Sequence, residues 1–374
     1  MKNLATFDLG TGMGTGDDAQ YAWDGTVLTV KNGAAITITG TVSGGRRIEV
    51  AQDAAAAITL DHVSITGLGE NQSPLRLHVG AALALHLQGS NKLKAGANCA
   101  GIQAPGGTML RIGGPGMLAA TGGCGGAGIG GSECGGENAG AITIDGGTIV
   151  AKGHYQSGAG IGGGTGGATI TIHGGVITAK GGNGCAGIGG GFGRTGGVIA
   201  IHGGVVTAKG GLDAAGIGGG SGGCDEGSKG GIITITGGTV AAQGGIRSAG
   251  IGGGFNREGG IITIEGSACV NATGGSEIFF DVGGGAGIGS GGSENDVPIA
   301  AGHIKIDTRH GATVAAQGGK GKGFWGDGAA IGQGGFFGHN GGDAGVVYVG
   351  TRPDVSQAMN CLANYPSDSL PLGH

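Results

Sequence analysis

Apolar and polar residues alternate along this chain in short runs. Tyr21 to Val30, Ala35 to Thr39, Arg47 to Val50, Ala57 to Leu60, Val63 to Ile65, Leu75 to Val79 and Leu83 to Leu87 all follow the pattern, with turn residues between them. A period of two sends alternate side chains to opposite faces, so each run predicts a half-buried strand. No 3.6-residue period is sustained, and no helix is expected before the tail.

From about residue 97 the strands fall into a repeat. Ala141-Ile142-Thr143-Ile144-Asp145-Gly146-Gly147-Thr148-Ile149-Val150-Ala151-Lys152-Gly153 has relatives at 168–181, 198–210, 232–244, 261–274 and 303–318. Between these units runs Ala159-Gly160-Ile161-Gly162-Gly163-Gly164, which returns at 186–191, 215–220 and 249–254, with looser copies near 129, 288 and 331. The central isoleucines at 102, 129, 161, 188, 217, 251, 288 and 331 are separated by 27, 32, 27, 29, 34, 37 and 43 residues, a spacing that means stacked repeats. Gly158 to Gly163 also fits the dinucleotide-binding pattern G-x-G-x-x-G. That fingerprint belongs once, between a strand and a helix, whereas here each copy leads into another glycine-rich turn.

Three short strands per repeat, joined by Gly-Gly corners, predict a right-handed, three-faced parallel β-helix of about 12 coils, each rising by about 4.8 Å. The inward columns would be Ile142/170/199/233/262/304, Ile144/172/201/235/264/306, the Ile149 to Val314 series and the Ala151 to Ala316 series. The anchor isoleucines would form the third wall. The expected organisation is an N-terminal cap over residues 1–25, one β-helix domain over 26–350 (degenerate coils to 96, explicit repeats from 97) and a C-terminal cap or tail over 351–374.

Composition narrows the choices. The chain has 374 residues and 102 glycines without a strict every-third spacing, which excludes collagen. Charged residues make up 12% and there are 7 prolines, too few of either for a disordered chain. The net charge of −5 is spread out, so no basic face for nucleic acid is expected. No run of 18 apolar residues exists to insert into a membrane, and no apolar stretch follows Met1 to Asp8 as in a signal peptide. Seven cysteines lack metal-type spacing, and their odd number argues against a full disulfide framework. Cys99 and Cys185 precede Ala-Gly-Ile and read as small buried residues.

Parallel stacking turns every outward position into a ladder. One runs Asp145, His173, His202, Thr236, Glu265, Asp307, and its first three members are candidate metal ligands or a mixed solvated face. A second runs Lys152, Lys180, Lys209, Gln243, Thr273, Gln317. Three stacked ammonium groups repel one another unless they splay into water or share an anion, such as an acidic sugar or phosphate. The repeat spacing lengthens after residue 250, where Phe279, Phe280, Phe324, Trp325, Phe336, Phe337 and His339 cluster among Asp281, Glu294, Asp296, Asp327 and Asp343. Aromatic faces stack on sugar rings, and loops on a rigid scaffold carry recognition. The same residues would also suit a hydrophobic cap or an oligomer interface.

The run Phe7-Asp8-Leu9-Gly10-Thr11-Gly12 through Trp23-Asp24-Gly25-Thr26-Val27-Leu28-Thr29-Val30, the stretch Ala56 to Ile65 and the Ala-Gly-Ile-Gly-Gly-Gly units resemble bacterial surface proteins described as carbohydrate-binding domain-containing. The likeness spans most of residues 7–350 and implies a parallel β-helix with a glycan-binding role. Glycine-rich tip adhesins of phage tail fibres are a second, vaguer likeness.

The expected function is non-catalytic binding of a polysaccharide or cell-surface glycan by an extracellular protein of a cell surface or virion. Its ligand would lie on the C-terminal aromatic loops or an outward ladder. No cofactor is expected, with Ca2+ left open, and assembly as a trimer or fibre is open. The alternatives are a polysaccharide lyase or glycosidase, which needs two positioned carboxylates, and a structural rod. No nucleophile-and-base motif, P-loop or zinc pattern is present.

Overall fold

The computed structural model describes residues 4–132, 138–156, 158–163, 168–221, 229–276, 282–294, 297–343 and 345–350. The chain is a parallel β-helix whose strands form three sheets, with no helix among the described residues. The first face has 13 strands, from Met13–Thr15 and Ala5–Asp8 through the Ile-Thr-Ile strands to Val346–Val349. The second face has 10, from Thr41–Ser43 through the Val-x-Ala strands to Thr313–Gln317. The third has 12, ending in the Ile-Gly pairs. Within the first face only Met13–Thr15 is antiparallel, which leaves twelve stacked layers.

Register follows the sequence columns. Ile142 faces Ile170, which faces Ile199, and the series continues through Ile233 and Ile262 to Ile304. Ile149, Ile177, Val206, Val240, Val270 and Val314 stack on the second face. The anchor isoleucines stack from Ile102 to Ile331 on the third. All three columns are buried in one continuous core. β-Branched side chains suit this geometry, because each packs on its copy one strand spacing away.

The third face differs from expectation in one respect. From Ile102–Gln103 onward its strands are only two residues long, for example Ile188–Gly189. Ala186 N–H donates to the Gly190 carbonyl at 2.9 Å, pinching Ala-Gly-Ile-Gly-Gly into a loop with the isoleucine at its inward apex. Gly189 has φ +133°, and a Cβ there would lie 2.1 Å from the Gly218 carbonyl of the next coil. Only glycine can hold that backbone and let the coils approach so closely.

At the N-terminal end, Ala5–Asp8 pairs antiparallel with Met13–Thr15, and Tyr21–Trp23 pairs antiparallel with Val27–Val30. Phe7 packs edge-on to Tyr21 at 5.4 Å and against Trp23 at 5.1 Å. Arg46 covers the Trp23 ring and donates to the Leu9 and Gly10 carbonyls. Reversed strands and aromatic rings together cover edges that would otherwise recruit another chain. Residues 351–374 lie outside the described residues. Cys99 and Cys185 are buried, and Cys269 is disulfide-bonded. No described helix is long and apolar enough to cross a membrane.

Candidate functional site

The lysine ladder lies in register at the end of the second face. Lys152 is paired with Lys180, and Lys180 with Lys209, followed by Gln243, Thr273 and Gln317. The ladder starts earlier than the sequence repeat indicated, because Lys94 pairs with Thr121 and Thr121 with Lys152. The signal for these two was the strand ending Leu93-Lys94-Ala95-Gly96, a variant of Val-x-Ala-Lys-Gly.

After each ladder residue the chain turns through Gly-Gly toward the third face. These corners line a groove of about 620 Å³ that runs across five coils. Lys152, Lys180, Lys209, Gln243 and Thr273 form one wall, glycines such as Gly181, Gly182, Gly210 and Gly211 the floor, and Tyr155, Asn183, Leu212, Ile246 and Ser276 the other wall. The floor is glycine because the chain doubles back under it: a Cβ on Gly181 would lie 2.1 Å from the Cys185 carbonyl. The corner also has an almost constant length. Eight residues separate Lys180 from Ile188, Lys209 from Ile217 and Gln243 from Ile251, with nine from Lys152 to Ile161. Equal turns put equivalent residues above one another, and the wall is continuous for that reason. At Thr273 the interval grows to fifteen residues, and at Gln317 to fourteen.

The longer loop after Gln317 forms the next layer of the same corner. Lys320 N–H donates to Ser276 Oγ at 2.9 Å, tying it to the groove's last wall residue. The loop carries Phe324, 83% exposed, and Trp325, which meets Phe337 edge-on at 5.3 Å. Phe336 stacks on His339 at 5.1 Å, and Gly338 N–H reaches the Phe324 carbonyl. Five of the seven expected aromatic-loop residues therefore form one local knot. Phe279 and Phe280 lie outside the described residues, as do Asp281 and Asp296. Two of the nearby acids are already engaged: Asp327 accepts from Lys320 at 2.7 Å and from Gly321 N–H, and Glu294 accepts from Asn256 at 2.7 Å.

At the other end of the groove, Tyr155 rests against His154 at 4.4 Å. Burial, reinforced by the nearby Lys94 ammonium, holds the His154 imidazole below its ordinary range. Its Nδ1 accepts from Gln156 N–H at 3.3 Å, which suits the neutral ring.

The first-face ladder does not assemble as a metal site. His173 and His202 stack at 5.2 Å with ring planes 17° apart, and His202 Nδ1 is hydrogen-bonded to Thr236 at 2.9 Å. Asp145 is instead held by Arg111 of the preceding coil. Among the described residues no group of three His, Cys, Asp or Glu is placed to hold a metal ion. Stacking also brings an arginine beside the aspartate, and the Arg111 strand lies outside the explicit repeat units.

Four stretches, residues 142–165, 170–192, 199–221 and 233–255, match a sequence family described as a beta helix repeat. Each runs from an inward first-face isoleucine, through a ladder residue, to the third-face loop. No curated protein and no solved structure matches the chain.

Proposed function

We propose that this protein is a non-catalytic glycan-binding rod of an extracellular or virion surface, holding its ligand along the corner groove and against the aromatic knot beyond it. The observation that carries the reading is the groove itself: a concave, continuous trough with polar side chains on one wall and, on the other, turn tips that set Tyr155, Leu212 and Ile246 beside Asn183 and Ser276. Repeat folds bind extended partners on such surfaces, and sugars need both hydrogen-bonding groups and flat apolar contacts. The beta helix repeat match fits a surface, adhesion or polysaccharide-related role. The engagement of Asp327 and Glu294 by neighbouring side chains favours binding over glycoside cleavage, which requires two available carboxyl groups.

A glycan array read alongside a reducing-end assay tests this. Retention of polysaccharide without release of new reducing ends is the expected result. Combined Phe324→Ala, Trp325→Ala and Phe337→Ala should weaken retention. Undiminished binding in that variant would move the site away from the knot, and steady release of reducing ends would make the protein an enzyme.

A further inference from the structure

Several charged side chains among the described residues are neutralised by a partner within the coil or in the next one. Arg111 meets Asp145, Lys305 meets Glu265 at 2.9 Å, Lys229 meets Glu258 at 2.8 Å and Lys320 meets Asp327 at 2.7 Å. Arg309 meets Asp307, and Arg247 grips Asp213 with two nitrogens. Lys152, Lys180 and Lys209 differ: they stack in register with no acid partner among the described residues, and no described residue lining their groove is acidic. The chain carries more acids than bases, so partners were available. Neighbouring lysines are one strand spacing, about 5 Å, apart at the backbone, close enough for their ammonium groups to repel unless they splay apart or an anion lies between them.

We infer that the groove takes a linear acidic polysaccharide, lying parallel to the rod axis, with its carboxylate or sulfate groups on the lysine wall. The inference rests on the glycan-binding reading and narrows it. Five coils give the trough a length of roughly 20 Å, enough for several sugar residues in line. Ring faces would lie against the exposed turn tips, of which Tyr155 and Leu212 are the most apolar. The glycine floor lets the chain sink to backbone level.

The wall also has polarity. Lysines occupy its first part and Gln243 and Thr273 its last, so the acidic stretch sits toward the N-terminal coils and a less charged stretch toward the aromatic knot.

Two other polyanions fit less well. A single-stranded nucleic acid needs an aromatic platform for successive bases, and this groove is lined by one aromatic residue, Tyr155. An acidic peptide would gain affinity by adding a strand, but the floor's backbone is already paired coil to coil. Gly181 N–H donates to the Lys209 carbonyl and Gly210 N–H to the Gln243 carbonyl, both at 2.9 Å.

The test uses the full chain with four immobilised polymers: polygalacturonate, dextran sulfate, neutral dextran and oligo-dT. Retention on either acidic polysaccharide, weakening as salt rises, supports the inference. Combined Lys152→Gln, Lys180→Gln and Lys209→Gln should then lower affinity by about ten-fold or more. Gln243→Lys, which extends the ladder by one coil, should raise it. Equal retention on dextran, unmoved by the lysine changes, overturns the acidic assignment and leaves the glycan reading standing. Binding to oligo-dT with the same lysine dependence overturns the sugar assignment. If no polymer is retained, both readings fall.

Discussion

Three glycines allow the packing of the third face to be tested term by term. Gly107 has φ +81°, and a Cβ there would meet nothing within 4 Å. Gly187 has no positive φ, yet its Cβ would lie 2.7 Å from the Gly216 carbonyl and 2.7 Å from Lys209 N. Gly189 has both problems, with φ +133° and the Gly218 carbonyl at 2.1 Å. Alanine at 107 should therefore carry the backbone penalty alone, about 1 kcal/mol. Alanine at 187 should carry overpacking alone, about 1–3 kcal/mol, because the atoms in the way are backbone and cannot rotate aside. Alanine at 189 combines a glycine-only backbone region with the closer clash, so about 4 kcal/mol or more is expected. The carbonyl it would strike also accepts the Gly190 N–H at 2.9 Å, so relief by moving that carbonyl breaks a coil-to-coil hydrogen bond. Urea unfolding of the three single variants, with equal slopes required before midpoints are compared, gives the order directly. A Gly189→Ala protein within 1 kcal/mol of the parent, or more stable than Gly107→Ala, would refute this account of the Ile-Gly column.

Two further outcomes are expected of the same rod. Asn91 occupies a buried inward position of the second face, where its Oδ1 accepts from Val63 N–H at 2.9 Å and its Nδ2 donates to the Gln88 and Met117 carbonyls. Asn91→Leu fills the space but leaves those backbone groups unpaired, so a loss of roughly 2–5 kcal/mol is expected from chemical denaturation; a neutral result would mean that the core readily hydrates or rearranges there. Acid should also destabilise the rod. Asp307 is held below the usual carboxylate range first by the Arg309 hydrogen bond, and Asp24 by the backbone N–H groups of Val27 and Thr26. Burial alone would raise Glu49, but hydrogen bonds from His78 and Arg47 outweigh it and hold it low. A carboxylate lowered on folding contributes stability above its unfolded value and loses it as pH falls through its folded value. The thermal midpoint should therefore drop progressively below about pH 4, and a midpoint that holds steady or rises between pH 5 and 2.5 would contradict that sign.

Much of the architecture was legible because a solenoid makes distant contacts periodic. Once Ile142 and Ile170 are aligned in the sequence, their contact follows, and so do the lysine and histidine ladders. The features that escaped are those that depend on where side chains go after leaving the register. Asp145 pairs with Arg111, and Lys94 begins the basic ladder, yet both partners sit in coils whose sequences depart from the explicit repeat. The two-residue strand of the third face was also hidden, since the Ala186-to-Gly190 hydrogen bond that shortens it leaves no mark in an apolar pattern.

The groove was hidden for a subtler reason, and that reason sets its corner apart from the other two. A rod of this kind has three corners. Between the first and second faces the chain turns through Gly-Gly pairs such as Gly146-Gly147 and Gly174-Gly175, leaving little depth. Between the third and first faces, the interval from anchor isoleucine to first-face isoleucine varies: nine residues from Ile161 to Ile170, eleven from Ile188 to Ile199 and sixteen from Ile217 to Ile233. Unequal loops cannot stack into a continuous wall. Between the second and third faces the interval stays at eight or nine residues from Lys94 to Ile251 and then lengthens abruptly. A long trough requires equal turns, and an end-stop requires unequal ones. That corner has both, in that order: the turns lengthen after Thr273 and after Gln317, and the second of these brings Phe324 and Trp325. Glycine supplies the equality, because it tolerates close backbone packing in coil after coil. The residues that make the fold monotonous therefore also make a linear binding site possible, and specificity is left to the few side chains that rise above the glycine floor.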